Sequence, residues 1–223
     1  MRIARLLAAA VPAAFAVSLA LAQTDSTEDQ APEAAPETGP ETGPVPTPAS
    51  QPDRAAGLEQ WGKIYQVFAH PRCTNCHVPS DHRPRWAGPS FGLAAGEWIY
   101  HGMNISGGPD RNGRSTIPCS ACHAETNAEL PHGPPGAPHW QLAPVEMSWF
   151  EKPSSELCVQ LKDPAQTGGR SLAEIAHHIG HDPLVLWAWE PGPGREPPPF
   201  SAKETVAALL SWEAAGAPCP AAE

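Results

Sequence analysis

The stretches CTNCH at residues 73–77 and CSACH at residues 119–123 decide how this chain of 223 residues is interpreted, because both follow the pattern C-x-x-C-H. Two thiols three positions apart can each bond one of the two vinyl groups of a porphyrin, and the adjacent histidine then lies under the ring and coordinates its iron. The two copies therefore predict two covalently bound haem c groups. The predicted cofactor-binding residues are Cys73, Cys76, His77, Cys119, Cys122 and His123, and the two histidines are the predicted iron ligands.

Zinc binding and thiol redox chemistry are the alternatives for these cysteines. Zinc ribbons place about 15–20 residues between two C-x-x-C pairs, whereas 42 residues lie between Cys76 and Cys119. A site of four thiolates also has no need of the histidine that follows each pair. A thioredoxin-like pair would not explain a second copy, and no βαβ pattern surrounds either copy. The sequence favours haem.

The first 22 residues have the features of a secretory signal peptide. Two arginines precede an apolar stretch, Leu6–Leu21, and small residues follow near position 22. The alternative is an uncleaved anchor, but the stretch is somewhat short for a membrane span of about 20 residues. We expect cleavage, export to the periplasm, and no stable membrane insertion of the mature protein.

Residues 23–54 are rich in proline and acidic side chains and poor in large apolar ones, so we expect a disordered acidic linker. Residues 55–223 are then one domain, about the usual size. With 29 prolines and 19 glycines in the chain, this domain is predicted to be mainly α with long irregular loops, a dihaem cytochrome c-like fold in which the cofactors supply part of the core.

Apolar residues at helical spacing predict four helices: about 54–69, about 154–162, one that starts at Ser171 and one that starts at Ser201. Ser154 is the expected N-cap of the second. The last two each carry a glutamate three positions after the serine, which is the pattern of a capping box. In the fourth helix, the residues expected to point inward are Val206, Leu209, Leu210 and Trp212. No stretch alternates as a strand does.

Two cysteines remain outside the motifs, Cys158 and Cys219. In an oxidising compartment two spare thiols are expected to form a disulfide. Two buried, unpaired thiols are the alternative.

The sixth ligand of each iron decides the function, because a strong protein ligand makes an electron carrier and an open position allows chemistry on a small molecule. His101 is the first candidate for one haem, and Met103 competes with it. Met147 is the candidate for the other haem, with His178 as the alternative. His70 is too near Cys73 to reach over its own haem, but it could approach the other or cap a helix.

From His70 onward the chain resembles a family of exported dihaem proteins often labelled "isoquinoline 1-oxidoreductase subunit". The similarity covers about 150 residues and implies a dihaem cytochrome c; the chain has no room for a molybdopterin domain, so it is not the hydroxylating subunit. A fainter similarity, around His101, Asp110 and Gly113, is to the small dihaem subunit of periplasmic nitrate reductases, and it favours His101 as a ligand. The segments that carry the first similarity, to the exported dihaem family, are 70–77, 119–123, 140–144, 161–164, 168–172 and 184–189.

The formal net charge is −10, and it becomes −12 when Arg2 and Arg5 leave with the signal peptide. Such a protein is steered toward basic docking patches on redox partners, and nucleic acid is disfavoured as a partner. We therefore expect a carrier that transfers electrons between redox proteins, either on its own or as an accessory subunit of a dehydrogenase or other oxidoreductase, rather than an enzyme. The alternatives are a small dihaem enzyme with one open iron, peroxidase-like or acting on sulfur compounds, and a haem-based sensor or assembly factor.

Overall fold

The computed structural model describes residues 53–222. The predicted signal peptide and residues 23–52 of the predicted linker lie outside the described residues. The last two residues of that predicted linker belong to the first helix instead: Asp53 is its N-cap, and the Asp53 carboxylate accepts hydrogen bonds from the backbone N–H groups of Ala55 and Ala56.

The described part of the chain is mainly helical, with long irregular segments between its helices. Its α-helices are α1 (Arg54–Phe68), α2 (Pro71–Thr74), α3 (Ser154–Leu161), α4 (Leu172–His181), α5 (Pro183–Leu186) and α6 (Ala202–Ala214). Short 3-10 turns occupy Pro89–Phe91, Gly102–Asn104, Cys119–Ala121, Val145–Met147 and Pro164–Gln166. None of these described helices is long and apolar enough to span a bilayer.

The core forms where α1 packs against α3 and α6, and α4 packs against α6. Trp61 of α1 and Trp212 of α6 lie at its centre with ring centroids 5.0 Å apart. Each indole N–H has an acceptor, Ser154 Oγ at 2.8 Å for Trp61 and the Pro218 carbonyl at 2.9 Å for Trp212. Buried tryptophans need such partners because an unpaired N–H is costly in an apolar core.

The four predicted helices are confirmed. Both capping boxes are present: Ser171 with Glu174 begins α4, and Ser201 with Glu204 begins α6. The apolar face predicted for α3 is buried, with Leu157, Cys158 and Leu161 at 2% exposure or less.

Two details of these helices were predicted wrongly. Ser154 is the first residue of α3 rather than its N-cap, which is Pro153, and its hydroxyl accepts the Trp61 N–H instead. Leu210 is 45% exposed, because the neighbouring Leu209 and Trp212 already face the core and Leu210 falls on the opposite side of α6.

The expectation of no strand was also wrong. Strands β1 (Arg85–Ala87) and β2 (Trp98–Tyr100) pair antiparallel, with Trp86 opposite Ile99. Three residues are too few to show a period-two pattern. The guanidinium of Arg85 lies 4.8 Å from the Trp98 ring and 4.5 Å from the Tyr100 ring, so cation–π contacts add to the pairing.

The predicted disulfide between Cys158 and Cys219 is confirmed, with the two Cα atoms 5.6 Å apart. It links α3 to the segment that follows α6. Beside it, the Lys162 ammonium donates to the Ala217 carbonyl at 3.0 Å, and Ala217 has a positive φ of 47°. The C-terminal segment is therefore fixed to the helical core by a covalent bond and by hydrogen bonds.

Replacing both cysteines, Cys158→Ala with Cys219→Ala, should lower the free energy of unfolding by roughly 4 kcal/mol, because the closed loop of 61 residues then regains its entropy in the unfolded chain. Urea denaturation of the purified protein measures this change. The wild-type protein with its disulfide reduced is the control and should show a similar loss. Equal stability of the variant and the oxidised wild-type protein would contradict the prediction.

Candidate functional site

The two C-x-x-C-H motifs fold into the same backbone turn. The backbone N–H of His77 donates to the Cys73 carbonyl at 3.1 Å, and that of His123 donates to the Cys119 carbonyl at 3.0 Å. In both motifs the N–H of the second cysteine also donates to that carbonyl, at 3.2 Å and 3.1 Å. The first cysteine and the histidine, four positions apart, therefore share one side of the turn.

Different neighbouring segments position these two turns. The first begins within α2, which contains Cys73 and Thr74. The N-cap of α2 is His70, whose Nδ1 accepts the Arg72 backbone N–H at 3.2 Å. The second begins after Pro118, in a 3-10 turn that lies in the long irregular region between β2 and α3. The first motif thus adjoins the helical core, and the second belongs to the loops.

The imidazole of His77 is fixed on two sides. Its Nδ1 is 2.7 Å from the Met147 carbonyl, and the Trp149 ring stacks on it at 3.5 Å between centroids and 9° between planes. Phe68 of α1 stacks in turn on Trp149, with their ring centroids 4.5 Å apart. Burial lowers the pKa of His77 to about 4, against a smaller opposite effect of the Met147 hydrogen bond. The ring is therefore neutral at pH 7 and carries its proton on Nδ1.

His123 has the same surroundings in a different part of the chain. Its Nδ1 is 2.7 Å from the Pro135 carbonyl, and Trp140 stacks on it at 4.6 Å with 4° between the planes. Trp187 meets Trp140 edge-on at 4.9 Å. Burial lowers the pKa of His123 as well, and the Pro135 hydrogen bond opposes this effect.

This duplicated arrangement is what a metal-binding histidine requires. Metal-bound imidazoles almost always donate their second ring N–H to a carbonyl or carboxylate, which fixes the tautomer and the orientation of the ring. In His77 and His123 the backbone carbonyl engages Nδ1, so the lone pair of Nε2 is left for a metal ion.

An apolar cavity of about 430 Å³ lies beside the second motif. This volume falls within the range of pockets that bind cofactors and small molecules. Cys76 of the first motif lines the same cavity, so the two motifs are adjacent. Its other lining residues include Cys119, Cys122, His123, Trp86, Phe91, His101, Ile105, Ile117, Trp140, Leu142 and Trp187.

His101 lies in this cavity wall, near His123. Their ring centroids are 6.2 Å apart, with 57° between the planes. The Nδ1 of His101 is 2.9 Å from the Gly102 carbonyl. Like the two motif histidines, His101 therefore has a backbone carbonyl beside its Nδ1. Two imidazoles on opposite sides of one metal ion, with metal–nitrogen bonds of about 2 Å, have centroids about 6 Å apart.

The other candidate ligands are placed less favourably. Met103 lines the cavity but is 70% exposed, and Met147 is buried with its backbone at the Nδ1 side of His77, away from the nitrogen that would bind a metal ion. His178 on α4 is half-buried and close enough to His77 to lower its pKa. His70 caps α2 through its ring.

The motif cysteines form no disulfide; Cys73, Cys76 and Cys119 are partly buried, and Cys122 is exposed. Burial raises the pKa of Cys73 to about 12 and that of Cys76 to about 11, and it also raises the pKa of Cys119. These three groups are thiols, not thiolates, at pH 7. Over residues 53–222, no three His, Cys, Asp or Glu side chains form a cluster that could hold a metal ion. A haem iron takes only two protein ligands, so a haem site does not need such a cluster.

Comparison with known proteins finds no match: no family model, no curated protein and no solved structure matches this chain. The geometry of the site is therefore the basis for its interpretation.

The carbonyls and tryptophans that fix the two imidazoles were not predicted from the sequence. The partners of His77 lie 70 and 72 positions after it, and those of His123 lie 12 and 17 positions after it. No common spacing connects the two sets, and two of the four partners are backbone carbonyls, which any residue could supply. The only available signal was the number of tryptophans, which is eight.

Trp149→Leu should lower the free energy of unfolding by roughly 3 kcal/mol, since removing a large buried ring leaves a cavity between Phe68 and His77. Trp149 is 6% exposed, whereas Trp140 is half-buried, so Trp140→Leu should cost less. Urea denaturation of both variants measures the difference. A larger loss for Trp140→Leu would contradict this order.

Proposed function

We propose that this protein is an exported dihaem c-type cytochrome that carries electrons between redox proteins in the periplasm. The observation that supports this most strongly is the repeated histidine environment: two C-x-x-C-H turns whose histidines each have Nδ1 on a backbone carbonyl and a parallel tryptophan. A C-x-x-C pair used only for thiol redox chemistry needs no such support for the residue after it.

The residues present fit haem. Cys73 and Cys76 would hold one porphyrin, and Cys119 and Cys122 the other, in thioether bonds. The apolar wall of the cavity suits the body of a porphyrin, and the neutral rings of His77 and His123 suit its iron. A bound haem would supply reversible one-electron exchange at its iron.

His101 and His123 would hold one iron together, because the separation of their ring centroids, 6.2 Å, matches two imidazoles on one metal ion. For His77 we favour His178 over Met147. The Met147 carbonyl is already bonded to Nδ1 of His77, whereas a ligand must approach from the Nε2 side. Two histidines on each iron leave no open position and suit electron transfer rather than catalysis.

The two sites are adjacent, and this supports a path for electrons from one haem to the other. Cys76 lines the cavity beside Cys119, and the Cys119 thiol is close enough to help raise the pKa of Cys76, although burial has the larger effect. Cofactors attached there would be neighbours. The net charge of −10 favours partners with basic docking patches and makes association rates fall as salt rises.

The absorption spectrum and the mass of the purified, exported protein test the proposal. We expect a reduced c-type spectrum and a chain mass that includes two haems. Cys119→Ser with Cys122→Ser should retain one haem, because the first motif adjoins the helical core and not the loops. A wild-type protein whose mass equals that of the bare polypeptide would refute the proposal.

Carbon monoxide tests the assigned axial ligands, because it binds ferrous iron with an open sixth position. The wild-type spectrum should not change with carbon monoxide, whereas His101→Ala and His178→Ala should each allow it to bind to one haem. His181→Ala, an exposed histidine on α4, is the control and should behave as the wild type. Carbon monoxide binding by the wild-type protein would instead indicate an open iron and the enzymatic alternative.

A further inference from the structure

Within the part of the chain that the structure describes, Arg72, which lines the cavity, leaves two buried guanidinium nitrogens without a hydrogen-bond partner, whereas the other buried arginines, Arg85 and Arg111, leave one and none. Arg111 is 7% exposed, and its guanidinium contacts the Ala143 carbonyl, the Val78 carbonyl at 3.2 Å and His82 Nδ1 at 3.0 Å. Arg72 is 4% exposed, yet its Nε and Nη2 have no hydrogen-bond partner among the described residues. The Arg72 guanidinium also lies 5.9 Å from the centre of the Phe91 ring, a cation–π contact that uses none of its N–H donors. Unpaired donors on a buried cation are unfavourable, so they point to an anion that would accept from them.

The nearest acidic side chain does not supply that anion. Glu196 is close enough to raise the pKa of Arg72, against the larger lowering by burial, but no ion pair joins the two within 4 Å. The Oε1 atom of Glu196 is itself buried without a partner in the described part of the chain. Glu196 is also not among the residues that line the cavity, whereas Arg72 is.

A second arginine, Arg195, lines the same cavity. Its charge lowers the pKa of Arg72, so two like charges lie close together at one apolar site. The Arg195 guanidinium donates to the Gly133 carbonyl and, at 3.2 Å, to the Pro191 carbonyl. These loop carbonyls hold the group in place. Two cations fixed together beside an apolar cavity suit a ligand that has an apolar body and anionic groups at one edge.

We propose that Arg72 and Arg195 form a carboxylate-binding site at the edge of the cavity and neutralise the carboxylates of the group bound inside it. This inference rests on the proposed function, in which that group is the haem held by Cys119 and Cys122, whose two propionates are carboxylates. Guanidinium matches carboxylate because its planar fork of N–H donors can make two parallel charge-assisted bonds. The same chemistry would also accept a free carboxylate from solution, and the experiment separates the two sources.

Resonance Raman spectroscopy and redox titration of the purified holoprotein test this proposal. The bending vibration of the haem propionates reports their hydrogen bonding, and the midpoint potential reports the nearby charge. Arg72→Gln and Arg195→Gln should each shift the propionate band and lower the potential of one haem, because an unneutralised carboxylate stabilises ferric iron. Arg72→Lys should keep the potential close to that of the wild type but shift the band, since one ammonium group cannot make the paired bonds.

Arg114→Gln is the matched control: it removes the same charge from an exposed position that does not line the cavity, and it should leave the band unchanged. Adding acetate or succinate to the wild-type protein should change neither measurement. A potential that depends on the concentration of these carboxylates would show that the site takes a free anion, and this would overturn the assignment to haem.

The proposal fails if Arg72→Lys and Arg195→Gln both keep the wild-type propionate band, even where Arg72→Gln does not mature. The mass of the wild-type protein separates this failure from failure of the proposed function. A wild-type protein without covalent haem refutes both proposals. A protein with two haems and unchanged propionate bands in the arginine variants refutes the carboxylate site alone.

Discussion

The hydrogen bond between each motif histidine and a distant backbone carbonyl is the constraint on which the rest of the site depends. It fixes the Nδ1–H tautomer, orients the ring, and joins the motif to a segment far along the chain, His77 to Met147 and His123 to Pro135. A stacked tryptophan then prevents the ring from turning. Since the carbonyls belong to irregular segments, the loops must follow defined paths, and the prolines and positive-φ glycines help to fix those paths.

The two halves of the site are nevertheless built differently. Around His77, the support comes from the helical core: Phe68 of α1 stacks on Trp149, and Met147 packs in the same cluster. Around His123, it comes from loops, with Trp140 resting on Trp187 and Trp187 bonded at 2.8 Å to Asn127. Such loops lack a separate apolar core, so a group in the cavity would bury apolar side chains that the chain itself covers only in part.

The helices were predictable because their signals are local. Capping boxes at Ser171 and Ser201 and apolar spacing over three turns fix where a helix begins and which face it buries. The β-hairpin was missed because each strand has three residues. The motifs named the six residues of the candidate site, but the partners of their histidines come from segments with no sequence signal. The burial of Arg72 was equally hidden, because it follows from the way loops enclose the cavity.

Three arginines of this acidic protein are buried. A protein with a net charge of −10 would be expected to keep its few cations at the surface, yet Arg72, Arg85 and Arg111 are all less than 10% exposed. Arg85 is paired with Asp81 at 2.7 Å, and Arg111 is bonded to loop carbonyls and His82. Burial of a guanidinium is tolerated when its donors are occupied; over the described residues, Arg85 leaves only its Nε unpartnered, whereas Arg72, which lines the cavity, leaves both Nε and Nη2. The unpartnered donors of Arg72 therefore belong to the part of the fold where an apolar wall, a second arginine and the imidazole of His123 line one cavity.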